Sequence, residues 1–262
     1  MSRHIQDPGE VVVDIETVAP GFSELDVEMR EYLTERAIKR ARWDGKDLTA
    51  DEAEEVAADR LAMDTGLARV VAVGMRGLQK NGSLILLDSS GEQDVAVPGA
   101  LIERHDEPTM MARFWELLER PGTRRTITFN GRGFDGPNLM VRSAIYGVSA
   151  GRNLCGYRYD IGDHCDLSDC LSFLGATRGN YTLDYWCRAF GIPSPKESGI
   201  DGSDVGRLFR NGEMQLIATY LADDLLRTGQ LYDKCRHFLW CFKGGPARPY
   251  SAAAATPELA LR

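Results

Sequence analysis

The chain has 262 residues, of which 43% are apolar and 27% are charged, so it can bury the core of one large domain and is not disordered throughout. Its formal net charge of −8 argues against a protein that coats nucleic acid through an evenly basic surface. No run of about 18 apolar residues is present and the N-terminus lacks an apolar signal core, so we expect a cytoplasmic protein without a membrane span.

The first half of the chain predicts strands and charged helices. The β-branched run 11–17 follows Pro8 and Gly9, which is typical of a strand. Residues 23–65 carry thirteen acids and seven bases and predict two helices, the second starting near Thr49, which we interpret as an insertion after the first strand. The next predicted elements are a hairpin of strands 69–75 and 83–88 that turns at Asn81 and Gly82, a loop over 89–107 and a helix over 108–119.

The second half of the chain predicts mostly helices. A strand over 126–130 precedes a helix over 136–146, whose start is marked by Pro137. The remaining predicted elements are a loop over 149–163, helices over 167–174 and 183–190, a loop over 191–202, and a helical region over 203–242 that is divided at Asn211 and Gly212. Together these elements predict an α/β fold, a mixed sheet with helices on both faces.

Two acidic residues interrupt the first predicted strand. Asp14 and Glu16 are two positions apart, so their side chains point to the same face of the strand. Two like charges side by side need a positive partner, and hard divalent ions such as Mg²⁺ or Mn²⁺ prefer carboxylate oxygens. An edge strand with both acids in water is the alternative, but the hydrophobic residues 11–13 and Ile15 favour a central strand and therefore a metal site.

A third carboxylate, Asp135, follows the predicted strand that ends at Asn130 and lies at the first turn of the next helix. A helix-capping role accounts for an aspartate at this position equally well. Asp135 is also the one acid among seven arginines in residues 120–158, which indicates that the local electrostatic field matters there.

A fourth carboxylate, Asp224, shares a face of the last predicted helix with Tyr220, bordering an apolar stripe. An acid against the core needs a partner. The neighbouring Asp223 lies four residues before Arg227 and predicts a surface ion pair, so we select Asp224 as the functional residue.

These residues together resemble the three motifs of the DEDD (DnaQ-like) 3′-5′ exonuclease superfamily, tyrosine subtype. The motifs are Asp14-x-Glu16, Asn130-x-x-x-Phe134-Asp135 and Tyr220-x-x-x-Asp224. From about residue 9 to residue 236, the chain is similar to predicted 3′-5′ exonucleases related to the proofreading domain of family B DNA polymerases. The third motif departs from that group, because residues 221–222 replace a cysteine-and-acid pair often found there.

The resemblance implies an RNase H-like fold with a five-stranded sheet, which we assign to a domain over 1–243. The low complexity of residues 244–262 predicts a flexible C-terminal tail. It also implies two Mg²⁺ or Mn²⁺ ions, held by the four carboxylates, and a tyrosine hydroxyl that orients the attacking water. The expected activity is metal-dependent removal of nucleoside monophosphates from the 3′ end of single-stranded DNA or RNA, by a two-metal mechanism. A polymerase or repair protein acting in trans is a candidate protein partner, and proofreading, repair and RNA trimming all stay open as pathways.

Further residues are candidates for substrate binding. Arginines near the site would offset the repulsion between the carboxylates and the substrate phosphates, although most of the seven arginines in 120–158 are expected to be solvated surface residues. Phe134 is a candidate for stacking on a terminal base, with packing into the core as the alternative. The full set of predicted substrate-binding residues is Thr17, Asn130, Arg132, Phe134, Arg142 and Lys196.

Two other functions stay open on the sequence alone. The first is a catalytically weak nucleic-acid-binding protein that retains the exonuclease fold. The second is a phosphohydrolase with Asp14 as the nucleophile, although such a site places a second aspartate where Glu16 stands. The residues do not distinguish DNA from RNA as the substrate.

Overall fold

The structure is a computed structural model that describes residues 9–78, 82–177, 179, 181–193 and 200–239. Its centre is a mixed six-stranded sheet with the strand order β4-β3-β2-β1-β5-β6. Strand β1 is antiparallel to β2 and parallel to β5, and the outer pairs β3–β4 and β5–β6 are parallel. The strands are β1 (Gly9–Val18), β2 (Arg69–Gly77), β3 (Gly82–Asp88), β4 (Ala100–His105), β5 (Thr123–Thr128) and β6 (His164–Asp166).

Strand β1 is central, as its apolar residues predicted. Val12, Val13 and Ile15 are buried, and the strand has a hydrogen-bonded neighbour on each side. β-Branched side chains fit a pleated surface that is covered on both faces. The centre of the sheet therefore holds the strand that carries Asp14 and Glu16.

The sheet has one strand more than the five expected. Strand β4 lies within 89–107, where we predicted a loop, and β6 lies just after the predicted loop 149–163. Strand β4 is an edge strand that ends in the polar residues Glu103, Arg104 and His105, and β6 has only three residues, so neither gives a clear alternating pattern.

Helices cover both faces of the sheet, as predicted. Residues from α5 to α8 form one apolar core with the sheet, and residues from α3 and α4 form a second core on the other face. The helices are α1 (Val27–Trp43), α2 (Ala50–Arg60), α3 (Glu107–Leu118), α4 (Asp135–Ile145), α5 (Leu167–Leu171), α6 (Leu183–Ala189), α7 (Val205–Arg210) and α8 (Met214–Phe238). None of the helices in the described ranges combines the length and apolarity that crossing a bilayer requires.

The charged segment after β1 forms a helical hairpin of α1 and α2. The second helix starts where predicted, because the Thr49 side chain accepts a hydrogen bond from the Glu52 N–H and the Glu52 carboxylate accepts one from the Thr49 N–H. The hairpin has a small apolar core of its own, formed by Leu33, Ala37, Ala53, Ala57 and Leu61.

Two predicted helix boundaries can be compared with the structure. The division at Asn211 and Gly212 is confirmed, since Gly212 has a φ of +75° between α7 and α8. The helix predicted over 167–174 ends earlier, because Phe173 and Leu174 have φ values of +50° and +59°, which a right-handed helix cannot contain. The predicted turn residue Asn81, Lys196 and the predicted tail lie outside the described residues.

Candidate active site

Strand β1 carries the first two carboxylates on one face. Asp14 lies opposite Gly74 of β2 and Glu16 opposite Ala72, and the register shifts between Glu16 and Thr17. Glu16 is buried and Asp14 is partly buried. The strand thus holds two acids side by side in the middle of the sheet.

Gly74 permits helix α8 to lie close to this part of the sheet. A Cβ atom at Gly74 would be 2.6 Å from Leu225 Cδ1 and 3.0 Å from Leu221 Cγ. These leucines flank Asp224 in the sequence, so the missing side chain allows α8 to bring Asp224 to the strand that carries Asp14.

Asp135 is the first residue of α4, and its position depends on the loop after β5. Asn130 has a φ of +62°, and the buried Asp166 carboxylate accepts the Asn130 and Arg132 backbone N–H groups, each at 2.9 Å. The chain then turns so that Asp135 Oδ1 accepts the Ile15 N–H at 3.1 Å. Asp135 has a relative exposure of 3% and is held against β1 at Ile15, the residue between Asp14 and Glu16.

The four carboxylates form one cluster. One oxygen each of Asp14, Glu16 and Asp224 lies within 4.8 Å of the others, and the Asp14 and Asp135 carboxyl groups are hydrogen-bonded to each other. Burial, followed by the charges of the neighbouring acids, raises the pKa values of Asp14 and Glu16 well above the usual range. Burial is also the main cause that raises the pKa of Asp135 to about 7. Without a cation, the site therefore retains protons that ordinary carboxyl groups release.

This donor set fits divalent metal ions. All of the clustered ligand atoms are carboxylate oxygens, which suit Mg²⁺ and Mn²⁺. Besides burial, the neighbouring acids raise the pKa of Asp14 by charge repulsion, which a bound cation would relieve. Asp14, Glu16, Asp224 and the adjoining Asp135 are the residues that could hold the metal.

Tyr220 lies one helical turn before Asp224, and its hydroxyl is close enough to the carboxylates of Asp224, Glu16 and Asp14 to interact with their charges. Burial, and then the charges of Asp224, Glu16 and Asp14, raise the pKa of the tyrosine hydroxyl. The tyrosine keeps its proton at neutral pH and acts there as a hydrogen-bond donor.

A buried arginine adjoins the cluster, although the sequence predicted for it only a surface ion pair with Asp223. Arg227 pairs with Asp224, with Asp223 at 2.8 Å and with Asp184 of α6 at 3.8 Å. The predicted pairing of Asp223 with Arg227 is present, but it is not a surface pair, since Arg227 is buried. The spacing of Arg227 three residues after Asp224 is the signal that could have indicated this second contact.

Three predicted substrate-binding residues lie near the carboxylates in the sequence. The Thr17 hydroxyl donates to the Ala62 carbonyl oxygen at 2.6 Å, Phe134 is partly buried against the core that contains α3 and α4, and Asn130 is exposed in the loop before Asp135. For Phe134 the structure therefore favours the core-packing alternative, and the exposed Asn130 side chain stays a candidate.

The predicted roles of Arg132 and Arg142 are not supported by their contacts. Arg142 is buried and makes two hydrogen bonds of 2.8 Å to the Glu107 carboxylate. Arg132 Nε donates to Asp169 at 3.0 Å. Glu107 thus neutralises Arg142 inside the protein, and Arg132 is engaged with Asp169, a carboxylate that Arg158 also contacts.

The same holds for most of the arginine-rich stretch. Three further arginines of 120–158 pair with acids outside it, and a fourth donates to backbone carbonyl oxygens. These pairs are Arg120–Glu116, Arg125–Glu10 and Arg158–Asp169, and the fourth residue is Arg152. The buried pairs of Arg125, Arg132 and Arg142 thus cancel part of the local excess of positive charge that the sequence indicated, whereas the side chains of Arg120 and Arg158 are about half exposed.

One family model matches the chain over residues 63–243, and its description is a predicted 3′-5′ exonuclease related to the exonuclease domain of PolB. The matched region contains Asp135, Tyr220 and Asp224, whereas Asp14 and Glu16 precede it. The structure connects Asp14 and Glu16 to the matched region, because β1 places both of them beside Asp224. Since the match extends over more than half of the sequence, the chain belongs to this family of predicted 3′-5′ exonucleases.

Proposed function

We propose that this protein is a metal-dependent exonuclease that removes nucleoside monophosphates from the 3′ end of single-stranded DNA or RNA. The observation that carries the proposal is the convergence of Asp14, Glu16, Asp135 and Asp224 from three separate elements, next to the Tyr220 hydroxyl. Buried acids in such number destabilise a fold, so their presence is best explained by a cation-dependent reaction.

The carboxylates would hold two Mg²⁺ or Mn²⁺ ions in this proposal. Divalent ions bound there would supply Lewis acidity to the scissile phosphate. The chain contributes rigidity: Asp135 is held by the Ile15 N–H, and Asp14 and Glu16 are held by the central strand. Preset ligands of this kind need little rearrangement when a substrate arrives.

Tyr220 would orient the attacking water. Its raised pKa keeps the proton on the hydroxyl oxygen at neutral pH, so the group can donate a hydrogen bond to the water but does not act as a base. In the reaction, the water oxygen forms a bond to the terminal phosphorus and the bond between phosphorus and the 3′ oxygen breaks. The products are a nucleoside 5′-monophosphate and a strand with a new 3′ hydroxyl.

The preference for single strands is supported by the internal pairing of the arginines around Asp135. A duplex needs many cations along both backbones, and the arginines Arg132 and Arg142 are already engaged with Asp169 and Glu107.

A time course on 5′-labelled single strands of DNA and of RNA, with Mg²⁺ or Mn²⁺, tests the proposal. We expect a descending ladder of products and no cleavage in the presence of a chelator. A single internal cut, activity on duplex alone, or tight binding without cleavage would contradict it, and the last result would instead favour the nucleic-acid-binding alternative.

A matched pair of variants on α8 tests the assignment of the acids. Asp224→Asn should abolish cleavage, because Asp224 belongs to the cluster with Asp14 and Glu16. Asp223→Asn removes a neighbouring acid that also pairs with Arg227 and should retain most activity. Equal loss in both variants would show that the ion pairs of Arg227, rather than a metal ligand, are what the reaction needs.

A further inference from the structure

A groove of about 660 Å³ runs between the two helices of the hairpin that follows β1. Its floor is apolar, since Leu33, Ala37, Ala57 and Leu61 belong to the small core of the hairpin. Its remaining lining consists of Arg36, Lys39, Arg40, Trp43, Arg60, Met63 and Asp64. None of these residues has a role in the site described above.

The groove is basic although the segment that forms it is acidic on average. Among the described residues that line it, four are cations and one, Asp64, is an acid. Arg36, Lys39 and Arg40 have side chains that are two-thirds or more exposed, and their ion pairs lie at the surface. Such pairs contribute little free energy, so the cations remain available to an anionic ligand.

Two apolar side chains stand exposed at the rim of the groove. Trp43 has a relative exposure of 89% and Met63 one of 70%. Proteins bind single strands with this combination of an exposed aromatic ring and nearby cations, since bases stack on the ring while phosphates contact the cations. An acidic peptide would also satisfy the charges, but it has no planar bases for the exposed indole.

One end of the groove adjoins the strand that carries the carboxylates. Leu61 and Met63 flank Ala62, whose carbonyl oxygen accepts the hydrogen bond from the Thr17 hydroxyl at 2.6 Å. Thr17 directly follows Glu16. From Leu33 to Trp43 the groove extends for about 15 Å along α1, which is the length of about four stacked nucleotides.

We propose that this groove binds the part of a single-stranded nucleic acid that lies 5′ to the nucleotides in the carboxylate site. The proposal rests on the proposed function, because it takes the bound strand to be the substrate whose 3′ end reaches Asp14 and Glu16. The phosphates contact Arg36, Lys39, Arg40 and Arg60, and a base stacks on Trp43.

Fluorescence anisotropy of a labelled 12-nucleotide single strand measures the affinity of the protein for that strand, with a chelator present so that nothing is cleaved. Trp43→Ala should weaken binding by about 5- to 150-fold, the range for loss of one stacked base. The matched control is Tyr32→Ala, because Tyr32 is an exposed aromatic residue of the same helix that does not line the groove. Equal affinity of the two variants would overturn the proposal.

Salt dependence tests the cations separately. Removing two phosphate contacts with the double variant R40A/R60A should lower the slope of log affinity against log salt by about 1.4, at about 0.7 per contact for single strands. Arg42→Ala is the control, since Arg42 is an exposed arginine of α1 outside the lining of the groove. An unchanged slope in the double variant would show that the groove does not hold phosphates.

Cleavage of a dinucleotide separates this proposal from the proposed function. A dinucleotide is too short to reach from the carboxylates into the groove, so Trp43→Ala and R40A/R60A should cleave it like the wild type while losing efficiency on the 12-nucleotide strand. If the wild type cleaves neither substrate, the proposed exonuclease function is refuted, whereas the anisotropy results still decide whether the groove binds single strands. Wild-type binding to a polyglutamate peptide that displaces the strand would overturn the nucleic-acid assignment in favour of an acidic partner.

Discussion

The buried ion pair between Arg142 and Glu107 offers a sharp test of how this fold uses its arginines. Glu107, which is 2% exposed, accepts two hydrogen bonds from Arg142, one from the Tyr146 hydroxyl at 2.6 Å and one from the Val70 N–H at 2.9 Å. The pair joins the start of α3 to the end of α4 and to β2. Arg142→Met keeps most of the side-chain volume but leaves the Glu107 carboxylate without its countercharge.

Breaking a buried pair by removing one partner costs about 3–5 kcal/mol in the free energy of unfolding. For a chain of this size each kcal/mol lowers Tm by about 2–4 °C, so the variant should melt about 6–20 °C lower. Its activity per folded molecule at low temperature should stay close to that of the wild type, because Arg142 is committed to Glu107 rather than to substrate.

The test is completed by comparing the thermal melts of Arg142→Met and of the double variant R142M/E107Q. Glutamine needs no countercharge and retains an acceptor for the Val70 N–H, so R142M/E107Q should recover part of the lost stability. A normal melting temperature combined with a raised KM in Arg142→Met would refute this reasoning and restore Arg142 as a phosphate ligand.

Three further predictions concern the carboxylate site. Tyr220→Phe should lower kcat by about 10- to 1,000-fold without loss of metal binding, measured by calorimetric titration of Mn²⁺, since one oriented hydrogen bond supports that range. Asp135→Asn should become more stable relative to the wild type as pH rises: the difference in their free energies of unfolding should grow by about 2–3 kcal/mol from pH 5 to pH 8, measured by urea unfolding with a chelator. A carboxyl pKa of about 7 in the folded state means that the wild type loses stability as pH rises from about 4 to 7, so a pH-independent difference would contradict the raised pKa. Gly74→Ala should reduce both activity and stability, because the added Cβ would overlap Leu225 and push α8 from the sheet, whereas Gly45→Ala, in an open turn, should lower stability but not kcat.

Local patterns predicted the parts of the fold that depend on local chemistry. The period of two between Asp14 and Glu16, set in an apolar run, was sufficient to predict a central strand with two acids on one face, and the structure places them there. The interval of four between Tyr220 and Asp224 likewise predicted both on one face of α8, where the two side chains interact. That the chain brings these acids together with Asp135 followed from the family resemblance rather than from any local pattern.

Long-range pairing was the part that the sequence could not supply. The net charge of residues 120–158 predicted a positive region around Asp135. The arginines of that stretch, however, pair with acids elsewhere in the chain, at Glu10, Glu107 and Asp169. Strand β4 was not predicted either, because it is defined by its pairing with β3. As a partly covered edge strand it needs no alternation of apolar and polar residues.

The separation of the site residues along the chain has a consequence for biosynthesis and refolding. Asp14 is in the first described strand and Asp224 is in the last described helix, so the two meet only after the sheet has formed and α8 has packed across it. Contacts between residues so far apart form late, because a long loop must close first. Under the proposed function, a growing or partly folded chain therefore lacks the complete set of carboxylates and should not cleave nucleic acid. In a refolding experiment, the return of Mn²⁺ binding should lag behind the return of helical circular dichroism, which makes metal affinity a measure of completed folding.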